Sequence, residues 1–172
     1  MKKLSKSATA RGVLGKEDLA KLPGIPSEKR LKKGPVAIIE CAAEYPCNPC
    51  ESACREQAIR VGKDITDLPA LDEDRCTGCG VCIPACPGLA IFVVDLTYSE
   101  KEAVVRIPHE LLPLPGKNET VKCLNREGKS VTEGKVVKVV NPKRNDRTAV
   151  IWVAVPKKFA QGLRAIRVNH AG

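Results

Sequence analysis

The sequence predicts an α+β protein in three parts: an extended basic arm over residues 1–35, a cysteine-rich unit over 36–107, and a small, basic, β-barrel-like unit over 108–172. Three observations carry this reading. Eight of the nine cysteines lie between Cys41 and Cys86, in two runs that align at a shift of 32 residues. Downstream, four or five short valine- and isoleucine-rich stretches are separated by turn signals, as in a small all-β unit. Upstream, residues 1–33 show no steady apolar period.

In the arm, 17–22 reads as one or two helical turns with Leu19 and Leu22 on a face, stopped by Pro23, Gly24 and Pro26. Lys29, Arg30, Lys32 and Lys33 form a charge run, more often a solvated face than a binding arm. The arm is expected to lie on a partner or on the chain's own surface. In the middle unit, 36–40 is an apolar strand leading into Cys41, 51–57 a helical turn, 58–61 a strand and Gly62 a turn. A short strand at 69–71 precedes an acidic approach, 72–75, to Cys76; a second short helix at 83–87 leads to the strand 90–95. A further strand is expected over 98–107, and Pro108, Pro113 and Pro115 mark a linker. Beyond it, strands are expected at 120–124, 135–140, 149–155 and 165–168, with turns at 125–128 and Asn141-Pro142 and a helical turn at 159–163. Val150, Trp152 and Ala154 alternate well; the stretch KVVKVV, 135–140, alternates poorly.

The run CTGCGVCIPACP places Cys76, Cys79, Cys82 and Cys86 ahead of a proline. Three cysteines at two-residue spacing, on a loop with Gly78 and Gly80, can wrap their thiolates around one cube-shaped cluster. Both glycines permit positive φ and close approach of amide N–H groups to sulfur. The fourth cysteine, past a short turn, reaches away towards a second site. Tetrahedral zinc is the alternative, but it usually needs two CxxC pairs a longer stretch apart. Upstream, Cys47, Cys50 and Cys54 fall on Cys79, Cys82 and Cys86, and Ala58, Ile59 and Val61 fall on Ala90, Ile91 and Val93. This copy departs from the pattern twice: five residues, Pro46 among them, separate Cys41 from Cys47, and Arg55 stands where the proline would be. Without Cys41 the upstream site has three cysteines and suits a [3Fe–4S] centre.

On these residues, 36–95 resembles the bacterial-type two-cluster [4Fe–4S] ferredoxin family. The resemblance implies a pseudo-symmetric pair of β-α-β halves in which the fourth cysteine of each run serves the other cluster. It implies Cys41, Cys47, Cys50 and Cys86 around one [4Fe–4S] cluster, and Cys76, Cys79, Cys82 and Cys54 around the other. Cys123 is left over and reads as a buried structural thiol. Ala53, Ile59, Val81, Ile83, Ala85 and Ile91 are expected to shield the clusters from water, one of the levers on reduction potential. More loosely, the chain is similar to small iron–sulfur subunits of FAD-dependent dehydrogenases that oxidise amino acids, amines or related molecules. That likeness implies a hetero-oligomer in which FAD and the substrate site sit on partner subunits, not on this chain.

The net charge of +9 is unevenly placed. Residues 1–40 carry ten Lys/Arg against four acids, 41–100 four against ten, and 101–172 fifteen against six. Basic flanks around an acidic middle suit docking elements. They also admit nucleic acid, but single-strand grooves need stacking aromatics, and only Trp152 and Phe159 are candidates. No GxGxxG, Walker A, HExxH or Ser/His/Asp set is present, and His109 and His170 are lone histidines. Electron transfer without a catalytic site is therefore expected, with a stand-alone ferredoxin, a nucleic-acid-binding iron–sulfur protein and a purely structural insert as alternatives. The sequence shows no apolar run of membrane-spanning length and no apolar core to a leader in 1–15, and free thiols suit a reducing cytoplasm.

Overall fold

This computed structural model describes Ser5, Ala8, Ala10 and residues 12–168. His170 and most of the first eleven residues of the predicted arm lie outside the described residues. Two short helices, α1 (Lys16–Leu19) and α2 (Glu28–Leu31), form on either side of the Pro23–Pro26 break. Ser27 caps α2, its hydroxyl accepting from the Arg30 N–H at 3.1 Å. The described part of the arm lies on the chain's own surface. Asp18, 1% exposed, accepts from the N–H and hydroxyl of Ser5 at 2.7 and 2.8 Å. Leu22 and Leu31 are buried, and the Ile39 N–H donates to the Gly24 carbonyl at 2.9 Å. Gly24 is required by that approach, because a Cβ there would sit 2.5 Å from the Ile39 Cβ.

The cysteine-rich unit runs β1 (Val36–Ile39), α3 (Pro49–Ala53), β2 (Ile59–Arg60), β3 (Ala70–Leu71), α4 (Cys82–Ala85) and β4 (Ile91–Asp95). β1 pairs antiparallel with β4, and β2 with β3, so two strand–helix–strand halves interlock. Both helices stop before the last cysteine of their run. Cys54 and Cys86 are already extended, with ψ of 98° and 108°, which carries their thiols off the helix. For that reason α3 ends at Ala53 rather than running on to 57.

The rest of the chain adds β5 (Glu102–His109), β6 (Thr120–Leu124), β7 (Ser130–Val140), a 3₁₀ turn (Lys143–Asn145), β8 (Ala149–Pro156), α5 (Lys157–Ala160) and β9 (Ala165–Arg167). The predicted linker starts later than Pro108. Pro108 and His109 end β5, facing Val150 and Ala149 of β8. β4 partners β5 only as far as Arg106, so a residue with no N–H is tolerated at 108.

The downstream strands do not form a barrel of their own. They continue the sheet of the cysteine-rich unit, in the order β1-β4-β5-β8-β7-β6-β9. The physical reason lies in β5, which is buried from Ala103 to His109 and needs a neighbour on each side, β4 on one and β8 on the other. The sheet curls over one core of Val36, Ile38, Phe92, Val105, Ile151 and Val153, capped by Val121, Leu163 and Ile166. Among the described residues β1 and β9 remain its edges. The other face of β1, β4 and β8 presents Ala37, Ile39, Ile91, Val93 and Val150 to Ile59, Ile83 and the cysteines.

Candidate metal centres

The eight cysteines between 41 and 86 sort into two cavities. Cys41, Cys47, Cys50 and Cys86 line the first, together with Ile39, Tyr45, Pro49, Asp67 and Ile91. Cys54, Cys76, Cys79 and Cys82 line the second, together with Ala37, Ile59, Gly78, Gly80 and Val93. Each set joins three cysteines of one run to the last cysteine of the other. Cys41 belongs to its set despite the longer gap before Cys47. Cys50, Cys82 and Cys86 are buried, Cys41, Cys47, Cys54 and Cys76 half-buried, and Cys79 exposed.

The electrostatics follow the same division. Burial pushes the Cys50 thiol up to about 11, and Cys86, Cys41 and Cys47 push it the same way. Burial also raises Cys82, with Cys76, Cys79 and Cys54 adding to it. Cys41 is raised by burial and by Cys86 and Cys47. Thiols gathered this closely ionise together only if a cation takes their charge, which is the coupling of metal binding to proton release.

A four-iron cluster fits these surroundings. The donors are thiols, the walls are apolar, and backbone N–H groups already point at sulfur. Ala58 donates to Cys54 Sγ at 3.2 Å and Ala90 to Cys86 Sγ at 3.4 Å, the same bond in each half. Ala37 donates to Cys76 Sγ at 3.5 Å. Gly78 and Gly80 have φ of 66° and 84°, and a Cβ on Gly78 would run into Pro35. Among the described residues no three His, Cys, Asp or Glu side chains converge on a point where one metal ion could sit.

Cys123 lies in the core on the far face of the sheet, apart from both sets. Burial pushes its thiol up to about 12, with Glu133 adding to the shift. His109 is buried at the end of β5, with burial pulling it below the ordinary range and its Nε2 without a partner.

Three features of the site were not read from the sequence. Arg30, part of the charge run, donates to the carbonyls of Glu73 at 2.8 Å, Pro35 at 3.0 Å and Gly34 at 3.2 Å, and to that of Cys76. Arg106, 8% exposed, donates to the Gly78 carbonyl and stacks 3.7 Å from the Trp152 ring centroid. Two arginines, one on either side of it in the sequence, thus hold the Cys76–Gly80 loop. Beside Cys41, Glu40 is clamped by Arg126 and Arg164. Only Arg106 left a trace in the sequence, as a cation inside the apolar stretch AVVRIP.

Fold and site together define an iron–sulfur segment of the ferredoxin type. Residues 45–90 match the family described as a 4Fe-4S dicluster domain. The chain is 45% identical over 57 residues to a subunit of the Na(+)-translocating ferredoxin:NAD(+) oxidoreductase complex of Acetobacterium woodii, covering 33% of this chain and 16% of that subunit. It is 36% identical over 56 residues to the ferredoxin-type protein NapF of Haemophilus influenzae, covering 31% of this chain and 32% of that protein. An uncharacterized ferredoxin of Methanocaldococcus jannaschii is 36% identical over 72 residues, 40% of this chain and 43% of its own. The chain thus spans less than half the length of each of these relatives, and the family match falls within the cysteine-rich unit. No solved structure matches the chain. Among the described residues no helix is long and apolar enough to cross a membrane.

Proposed function

We propose that this chain is an electron-transfer protein with two [4Fe–4S] clusters and no catalytic site of its own, acting as a small subunit of an oxidoreductase complex. Cys41, Cys47, Cys50 and Cys86 hold cluster one; Cys76, Cys79, Cys82 and Cys54 hold cluster two. The sorting of the cysteines into two crossed cavities carries the reading. Each bound cluster supplies a site that takes up and gives back one electron.

The chain's own residues do the rest. Ile39, Ile59, Ile83, Ile91 and Val93, none more than 2% exposed, exclude water from both sites. The N–H groups of Ala37, Ala58 and Ala90 stabilise charge on the thiolates, and Arg30 and Arg106 fix the loop that carries Cys76 and Cys79. Cys79, exposed at the edge of the second site, is where an electron has the shortest path to a partner.

An oxidoreductase subunit as partner is supported by the Acetobacterium woodii relative, which is a subunit of an oxidoreductase complex. A flavoprotein dehydrogenase, with FAD on that partner, belongs to this partner class; none of the relatives named above is described as one. A reducing cytoplasm is the setting we assign. The reading is tested by anaerobic purification with metal analysis, which should return about eight iron and eight sulfide per chain. Zinc in place of iron, or half that iron content, overturns it.

A further inference from the structure

Beside Cys79 the structure opens a cleft of about 200 Å³ that the sequence did not announce. It is lined by Arg106, Lys138, Arg144, Asn145 and Trp152, with the exposed Cys79 at its edge. Among the described residues, none of its three cations forms an ion pair with a carboxylate. Arg106 is more than nine-tenths buried and its Nε has no hydrogen-bond partner. Asp95 and the Cys79 thiol act on Arg106 electrostatically, but no carboxylate pairs with it directly, and a buried guanidinium is costly unless an anion shares its site.

The backbone is shaped to bring these cations together. Between Val136 and Lys138 the pairing of β7 with β8 shifts by one residue, a β-bulge at Val137. Val136 faces Val153 in the core, so regular alternation would place Lys138 in the core as well. The bulge turns it to the opposite face, opposite Trp152 and 5.2 Å from its ring centroid. The 3₁₀ turn after β7 then supplies Arg144 and the buried Asn145.

We propose that this cleft binds an oxyanion group, phosphate or carboxylate, on the one-electron carrier that exchanges electrons with the second cluster. The inference rests on the proposed function, since it places the exchange at Cys79. One electron passes between site and carrier, one being oxidised as the other is reduced, and no covalent bond forms or breaks. Lys138 and Arg144 are exposed and draw the anion in; Arg106 meets it beside the ligand loop.

The test uses the iron-loaded full chain, reduced anaerobically and oxidised in a stopped-flow instrument by two outer-sphere probes. Ferricyanide, an anion, takes one electron and becomes ferrocyanide; hexaammineruthenium(III), a cation, takes one and becomes hexaammineruthenium(II). The double variant Lys138→Glu, Arg144→Glu should slow ferricyanide about tenfold at low salt and speed hexaammineruthenium by a similar factor, both effects fading at high salt. Iron content and the cluster spectrum should not change. Lys117→Glu with Lys122→Glu makes the same charge change beside and on β6, two strands from β8, and should leave both rates within about twofold. Inorganic phosphate and a tetraglutamate peptide, at constant ionic strength, then compete with ferricyanide on the wild type. Inhibition by phosphate alone assigns a phosphate group on the carrier; inhibition by the peptide assigns carboxylate groups; either supports the cleft. Equal rates in wild type and double variant, or an equal effect from the β6 pair, overturn it, as does failure of both competitors. Absence of iron overturns the proposed function and this inference with it, whereas iron with charge-blind oxidation overturns the inference alone.

Discussion

Glu40→Gln removes one charge and almost no volume, at the residue that joins β1 to Cys41. The Glu40 carboxylate accepts from Arg126 Nε at 2.9 Å on one oxygen and from Arg164 Nε at 2.9 Å on the other. Side-chain exposure is 8% for Glu40, 7% for Arg164 and 22% for Arg126. Burial alone pushes the Glu40 carboxyl up, but the hydrogen bonds and charges of Arg126 and Arg164 outweigh it and hold the group below the ordinary range. The variant leaves two guanidiniums facing each other over an amide. Breaking a buried pair costs about 3–5 kcal/mol, and the partly exposed Arg126 places this case near the lower end. In a chain of this size a loss of about 3 kcal/mol lowers the melting temperature by roughly 6–12 °C. Anaerobic melts of the iron-loaded proteins, followed by circular dichroism, measure it. The sign with pH is fixed, because a depressed carboxyl contributes stability that is present above its unfolded value, 4.5, and lost as pH falls through the folded value. The gap between wild type and variant should therefore be widest above pH 4.5 and narrow below it. A gap under about 2 °C would show that the cluster is worth no more than an exposed pair. A gap that ignores pH would show that charge does not carry it.

Three further outcomes are expected. Cys54→Ala should damage the cluster of Cys76, Cys79 and Cys82, and Cys86→Ala the upstream one; electron paramagnetic resonance showing loss of the same-run cluster instead would refute the crossing. His109 is held neutral by burial, so the folded state resists its protonation and stability should fall as pH drops below about 6.5, the value of the unfolded group. Melts of His109→Phe should show a weaker slope between pH 7 and 5, and an unchanged slope would mean that another group carries it. Deleting 1–35 removes the buried Leu22 and Leu31 and the Arg30 clamp on Cys76, so the truncated protein should lose iron, the downstream cluster first. Full iron content after truncation would return the arm to a docking role.

What was legible in the sequence is what depends on local spacing. Cysteines at intervals of two and three, with glycines between them, specify a ligand loop whatever surrounds it. Strand β6 falls on 120–124 as predicted because Val121 and Cys123 alternate with polar neighbours. What was not legible depends on partners distant in the chain. Pro108 reads as a linker because local rules cannot show that the pairing of β4 with β5 ends at Arg106 and leaves the rest of β5 with one neighbour. The poor alternation of KVVKVV is the signature of the Val137 bulge, visible as an irregularity but without a direction until β8 is placed beside it. Arg30 was one cation in a run of four; four carbonyls from two stretches of loop, 34–35 and 73–76, distinguish it from Lys29, and none of them is visible in composition.

The charge map has a different meaning once these contacts are drawn. Basic flanks around an acidic middle suggest two patches reaching outwards to a partner. Instead, several of those cations are turned inwards. Arg30 holds the second ligand loop, Arg126 and Arg164 neutralise Glu40, and Arg106 stacks on Trp152 beneath the same loop. Their effect is on the geometry and local field of the cysteine sites, because guanidiniums fixed near thiolates stabilise added negative charge there. Lys138 and Arg144, by contrast, face solvent at the cleft beside Cys79. An electron site has to exclude water and still be reached, and exposure is concentrated at Cys79 while Cys50, Cys82 and Cys86 are sealed. On the reading proposed above, free cations beside the exposed Cys79 act on the approach of a carrier rather than on the fold, and salt should weaken them while leaving the buried arginines in place.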